Sequence, residues 1–206
     1  KDLVVESAVT TIVDFEDAAT IVDAEDMVSA MRNYRGLIRG DLVAYGSKGN
    51  LKTINFDKPS LDVHGQTQYF KGCSLMSVRN VSIHMYTDMV QINGADIPER
   101  ILGILLTTLI ASTHDRGYES KGADEQIRKG IAQVRSANSA KGYIYQVTPK
   151  LQTAEEVAEQ IRLFKAIEQR FGLAEGTILI GIMNEELGMT LQLSESLHAT
   201  EGRAFF

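Results

Sequence analysis

Thr10-Thr11-Ile12-Val13-Asp14-Phe15-Glu16-Asp17 is the stretch whose reading decides the fold. A β-branched apolar run halts at a group of carboxylates, and Asp23-Ala24-Glu25-Asp26 then opens a segment of helical spacing. A strand that ends in acids and turns into a helix is how an α/β protein presents chemistry at the C-terminal edge of a strand. Carboxylates this close repel one another unless a cation, an arginine or a proton relieves them. The same residues also read as a solvated acidic turn followed by favourable negative charge at a helix N-terminus. Spacing alone leaves both readings of Asp14 and Glu16 open.

The surrounding sequence extends the alternation. Leu3–Val13 reads as a strand, and Asp23–Gly40 as a helix with Ala24, Met27, Val28, Met31, Tyr34 and Ile38 on its apolar face. Residues Asp41–Lys71 have another texture, with Gly46-Ser47-Lys48-Gly49-Asn50, Lys58-Pro59 and Gly65 marking turns between short strands. Gly46–Gly49 lacks the Gly-Lys-Ser/Thr of a phosphate-binding loop and reads as a hairpin turn. Cys73–Val81 is a second apolar strand carrying Arg79 near its end, where a guanidinium is costly to bury without an anion beside it. A structural ion pair with a neighbouring strand's acid would meet that need as well as a bound substrate. His84 reads as a packed or hydrogen-bonded histidine. Pro98 suits a helix start, and Ile101–Ala111 is apolar on nearly every face, so that helix is expected to be buried.

Gly117–Gly142 is polar and glycine-rich, and is expected to be a mobile loop with a helical portion over Asp124–Arg135. Tyr143–Val147 is a third strand. Thr153-Ala154-Glu155-Glu156 forms a capping box, ahead of a helix with Val157, Ile161, Phe164, Ile167 and Phe171 in its stripe and Gly172 as its stop. Thr177–Met183 is a fourth strand ending in Asn184-Glu185-Glu186, Leu191–Thr200 a short helix, and Arg203–Phe206 the opening of a fifth strand.

Strands alternating with helices imply parallel pairing through right-handed crossovers. Polar groups recur at the strand C-termini: Asp14 and Glu16, Arg79, Lys150, Glu185. That recurrence describes the active face of a (β/α)8 barrel. The fold class expected is therefore α/β, a partial TIM barrel with a short β-rich insertion over 41–71; an open doubly wound sheet is the alternative. So few strands cannot close a barrel, and the chain reads as a piece of something longer.

Composition narrows the function classes. The 206 residues are 44% hydrophobic, enough for a sizeable core. Net charge is −6, with 21 Lys+Arg against 27 Asp+Glu and no basic block, which argues against a nucleic-acid surface. No apolar run reaches the roughly 18–20 residues of a membrane span. A single cysteine, Cys73, and no secretory pattern at the start lead to an expected cytoplasmic location.

At this point the residues resemble malate synthase of the G type. The matching pieces are Thr10–Asp17 with Val22–Asp26, Arg32-Asn33-Tyr34-Arg35-Gly36-Leu37, Ser74–Val81, Ile97-Pro98-Glu99-Arg100-Ile101-Leu102 with Leu109-Ile110-Ala111, Ile144–Lys150, and Gly181-Ile182-Met183-Asn184-Glu185-Glu186. They follow the family's order across nearly the whole chain. The resemblance implies a TIM-barrel acyltransferase of the glyoxylate cycle. Such an enzyme condenses acetyl-CoA with glyoxylate to give malate and free CoA, using Mg²⁺. It assigns Arg79 to the enolate, Glu185 to the metal, and Asp14 and Glu16 to the metal's waters. Few carboxylates with several waters suit Mg²⁺, and enolate charge needs a fixed cation beside it.

Some positions depart from the family. Its Arg-Ser-Leu is Cys73-Ser74-Leu75 here, its Glu-Arg-Arg is Glu186-Leu187-Gly188, and its Gly-His after Arg-Asn-Val reads Ser82-Ile83-His84. Its second metal carboxylate falls just after the strand that Ala204-Phe205-Phe206 opens, and its general base further on, so neither lies in this chain. Residues 1–206 are thus expected to be the central part of the catalytic domain, with partners in the missing parts of the parent chain or in self-association. Two other readings stand beside this one: a CoA-ester lyase of the citrate lyase β-like type, and a catalytically incomplete binding or scaffold piece.

Overall fold

The computed structural model describes residues 10–16, 21–39, 42–45, 49, 51–53, 58–70, 75–114 and 142–206. The expected strand start at 3–9, Asp17, Cys73 and the expected loop up to Lys141, with its helical portion, lie outside the described residues.

Four parallel strands form the central sheet: β1 (Thr10–Asp14), β6 (Leu75–Arg79), β9 (Ile144–Thr148) and β10 (Ile178–Ile182), in that spatial order. A parallel bridge between Ile180 and Ala204 adds a fifth position, with Phe205 N–H donating to Ile180 O at 3.0 Å and Ile182 N–H to Phe206 O at 2.9 Å. Every new strand is laid beside the one before it, always on the same side. A doubly wound sheet reverses its order at a switch point; a barrel does not. The order of the described strands is the one a barrel uses.

Alternation along the strands separates two faces. Met76, Val78, Ile144, Gln146, Ile178 and Ile180 are buried on one of them. They share a core with α1 (Ala24–Arg39), α2 (Glu99–His114) and α3 (Ala154–Phe171). In α1 the buried residues are Met27, Met31, Tyr34 and Ile38, whereas Ala24 and Val28, also expected on the apolar face, are exposed. Its start is capped by Asp23, whose Oδ1 accepts from Glu25 N–H at 2.9 Å and Asp26 N–H at 3.0 Å, while Asp26 accepts from Val22 N–H. In α3, Thr153 accepts from Glu156 N–H at 3.2 Å, and Glu156 reaches back to Gln152 N–H rather than to Thr153 itself. Gly172 closes α3 in the left-handed conformation, φ 64°.

The other face carries Ile12, Asp14, Ser77, Arg79, Tyr145, Val147, Leu179 and Gly181, and it ends in the residues of interest. Register sets Asp14 opposite Arg79, and Arg79 opposite Val147.

Three antiparallel pairs decorate the sheet: β2 (Val43–Tyr45) with β3 (Leu51–Thr53), β4 (Lys58–Leu61) with β5 (Thr67–Phe70), and β7 (Tyr86–Ile92) with β8 (Ala95–Pro98). The last hairpin differs from expectation. Pro98 ends strand β8, and α2 begins one residue later at Glu99. The expected helix Leu191–Thr200 is two helices, α4 (Leu187–Leu191) and α5 (Leu193–Ala199), broken at Gln192. No helix among the described residues is long and apolar enough to cross a membrane.

Candidate functional site

The site is built where four strands end. Asp14 is the last residue of β1 and Arg79 the last of β6, and pairing of those strands brings them together. The Arg79 guanidinium forms a close ion pair with Asp14 Oδ2, lies 3.7 Å from Glu16 Oε2, and points its Nη1 at Met183 Sδ, 3.6 Å away. Between the two acids the chain makes a tight local turn: Glu16 N–H donates to Asp14 Oδ1 at 2.9 Å, and Phe15 N–H to Arg79 O at 2.9 Å. Phe15 turns the other way and packs edge-on to Tyr34 of α1, ring centres 6.1 Å apart. The turn therefore sends both carboxylates to the site and the ring to the core.

Two further strand ends complete the row. Lys150, two residues past β9, reaches Glu16 Oε1 with its Nζ at 2.9 Å. Its backbone adopts φ 56°, an unfavourable conformation for a residue with a Cβ. In that conformation its N–H donates to Glu185 Oε1, on the exposed loop after β10, at 2.8 Å. The result is an alternating series, Asp14–Arg79–Glu16–Lys150–Glu185, of three acids and two bases. Arg79 sits between Asp14 and Glu16, and the Lys150 ammonium pairs with Glu16, so the repulsion between those two acids is relieved internally, while Glu185 is held by the Lys150 backbone N–H.

One group in the series is incompletely served. Glu16 Oε2 is buried and has no hydrogen-bond partner among the described residues. A buried carboxylate oxygen left bare is costly, and it is the kind of position that a hard cation's water or a substrate hydroxyl fills. No group of three or more His, Cys, Asp or Glu able to hold a metal occurs among the described residues. The donor set thus fits an ion that takes few protein carboxylates and keeps its waters. It does not fit a closed cage.

All four expected site residues enter this series. Asp23 and Asp26 do not; they cap α1, as the helix N-terminus reading of the acidic stretch expected. Arg79 has its ion pair with a neighbouring strand's acid, as one reading required. Lys150 stood out at a strand end in the sequence without a role, and its contacts to Glu16 and Glu185 are visible only in the fold. His84 is exposed and lies beside Ser82 Oγ, 3.0 Å from its Nε2.

Residues 75–206 match the family model described as malate synthase, TIM barrel domain. Over 210 aligned residues, all of this chain, it is 39% identical to malate synthase G of Halalkalibacterium halodurans, covering 27% of that protein. Identity is 36% to malate synthase G of Corynebacterium glutamicum and 34% to that of Corynebacterium efficiens, each covered to 26%. The chain spans about a quarter of the length of these relatives.

Proposed function

The chain belongs to the malate synthase TIM-barrel family, and from that premise we propose that its parent protein condenses acetyl-CoA with glyoxylate to give malate and CoA, with Mg²⁺. The observation that carries this reading is the series Asp14–Arg79–Glu16–Lys150–Glu185 at the C-terminal ends of four adjacent parallel strands. In this reaction the methyl group of acetyl-CoA loses a proton, its carbon bonds to the aldehyde carbon of glyoxylate, and water cleaves the thioester. Negative charge develops on the thioester oxygen in the enolate.

Arg79 is the cation we assign to that oxygen. Asp14 on the neighbouring strand and Met183 fix its guanidinium before substrate arrives, and a guanidinium does not titrate in the working range, so stabilisation costs little reorganisation. Glu185 would hold Mg²⁺, with Asp14 and Glu16 accepting from its waters; the bare Glu16 oxygen suits that duty. Mg²⁺, when bound, polarises the aldehyde carbonyl as a Lewis acid. Lys150 holds Glu16 and Glu185 in mutual position from one residue, by side chain and backbone. The general base and a second metal carboxylate are assigned to the parent protein outside this chain.

The test is glyoxylate-dependent release of the CoA thiol by the full-length parent protein. Arg79→Lys should lower kcat by about 10²–10³-fold, the usual loss on removing one charge-stabilising donor. Glu185→Gln should raise the Mg²⁺ concentration needed for half-maximal rate. Unchanged CoA release in either variant would overturn the assignment. Thiol release from malyl-CoA or citramalyl-CoA, with none from acetyl-CoA and glyoxylate, would place the protein with CoA-ester lyases instead.

A further inference from the structure

Arg100, in the first turn of α2, is 1% exposed. Its Nε donates to Val81 O at 2.8 Å, its Nη2 to Pro149 O at 2.8 Å, and its Nη1 to Gln160 Oε1 at 3.3 Å. All three acceptors are neutral carbonyl oxygens, and among the described residues no carboxylate lies within ion-pair distance. Burial pushes its pKa down to about 10, against the pull of Glu16 and Glu156, so it is a cation at neutral pH. A buried cation without a direct counter-ion is expensive. Its placement demands a reason beyond stability.

The reason lies in which carbonyls it reads. Val81 is two residues beyond Arg79, and Pro149 immediately precedes Lys150. The ladder between β6 and β9 stops at the Arg79–Val147 pair. Past that point no ladder hydrogen bond joins the two exits, and the forked guanidinium of Arg100 spans them instead. Arg79 and Lys150 approach the same carboxylate, Glu16, from those two exits.

We infer that Arg100 is a positioning residue: it clamps the exits of β6 and β9 so that Arg79 and Lys150 meet Glu16 in one fixed geometry. The inference deepens the proposed function and rests on it for its catalytic consequence; the clamp itself does not. Arg100 also lines a cavity of about 500 Å³, with Ile83, Ile101, Leu151 and Leu163 among its walls. A small guanidinium ion therefore has a route to the place a truncated side chain would vacate.

The experiment uses the full-length parent protein carrying Arg100→Ala. Displacement of catalytic groups by about 1 Å costs on the order of 10²-fold, so kcat should fall by about 10–100-fold while KM for both substrates stays within about threefold. Guanidinium should restore kcat saturably, and urea at the same concentration should not. Amide hydrogen exchange should quicken at 80–85 and 149–152, return on adding guanidinium, and stay unchanged at 178–182. Wild-type kcat, or a loss that guanidinium does not rescue together with faster exchange throughout the sheet, overturns the inference. Should Arg100→Ala fail to fold, Arg100→Lys keeps the cation but cannot fork between two carbonyls; lowered kcat with faster exchange at both exits supports the clamp, and wild-type kcat overturns it. A wild-type protein without glyoxylate-dependent CoA release sinks the functional reading alone, because the exchange arm still decides the clamp.

Discussion

Glu16 is where the electrostatics of the site converge, since Lys150 and Arg79 both face it and one of its oxygens has no hydrogen-bond partner among the described residues. Glu16→Gln keeps the shape and removes the charge. Neither orientation of the amide suits the site: one turns its NH2 to Lys150, the other to Arg79. A charge-assisted hydrogen bond contributes about 1.5–3 kcal/mol, and the partly exposed Lys150 lowers that figure. The expected outcome is a loss of about 1–2 kcal/mol in chemical denaturation, without change of fold by circular dichroism. Stability equal to wild type would show that Glu16 is held by something other than these two cations. Spacing alone leaves Asp14 and Glu16 open between a solvated acidic turn and a cation-paired cluster, because both readings fit a short acidic stretch between a strand and a helix. What separates them is a pairing between residues 65 positions apart, Asp14 with Arg79. Local sequence carries no record of that pairing; the caps of α1 and α3 are local, and their residues could be read directly.

Between elements, α2 lies against β6 and β9 through a buried polar network. Asn80 donates to Gln146 Oε1 at 2.9 Å, and Gln146 donates to Thr107 Oγ1 at 2.9 Å. Gly103 is what lets the helix come this close: a Cβ built there would stand 2.4 Å from Asn80 Oδ1. Two effects oppose each other in Gly103→Ala. Helix propensity favours alanine by about 1 kcal/mol. Overpacking costs about 1–3 kcal/mol, and displacing Asn80 from Gln146 costs about 1–3 kcal/mol more. Clash should win by about 1–5 kcal/mol, with a melting temperature lower by about 2–20 °C at this chain length. A melting temperature at or above wild type would mean that Asn80 turns aside freely. Other features at this scale were legible to different degrees. Asn93 and Gly94, both at positive φ, make the two-residue turn of β7–β8, and Asn-Gly is a strong hairpin signal. Pro98 masked it, because the same residue serves as a helix start or a strand end. The break at Gln192 has no glycine or proline to announce it. At the break the Gln192 side chain accepts from Ala154 N–H at the start of α3, a contact the local sequence does not announce.

At the scale of the whole molecule, the described residues form only part of a barrel, and that has physical consequences. Eight strands close such a barrel, and the described residues supply four plus the bridge at Ala204. The last of these is firmly held. Glu168 grips Arg203 with both oxygens, at 2.8 and 3.1 Å, and also accepts from Ile178 N–H at 2.7 Å. Both side chains are buried, so the pair is costly to break from one side, by about 3–5 kcal/mol. That lock presents Arg203–Phe206 as an ordered edge with Phe206 63% exposed. On the opposite side, β1 is paired only with β6 among the described residues, and Ile12 on its inward face is 46% exposed. Ordered edges with apolar residues beside them are templates for further strands. The 206-residue chain expressed alone should therefore associate, with a weight-average mass in sedimentation velocity that rises with concentration. The parent protein, with its barrel closed, should not do so by this route. Arg203→Ala separates the contributions: loosening the locked edge should reduce association even as it lowers stability, whereas association driven by general unfolding would increase. A concentration-independent monomer with a cooperative melt would contradict this account, and would mean that the inward face is covered by residues of the chain itself.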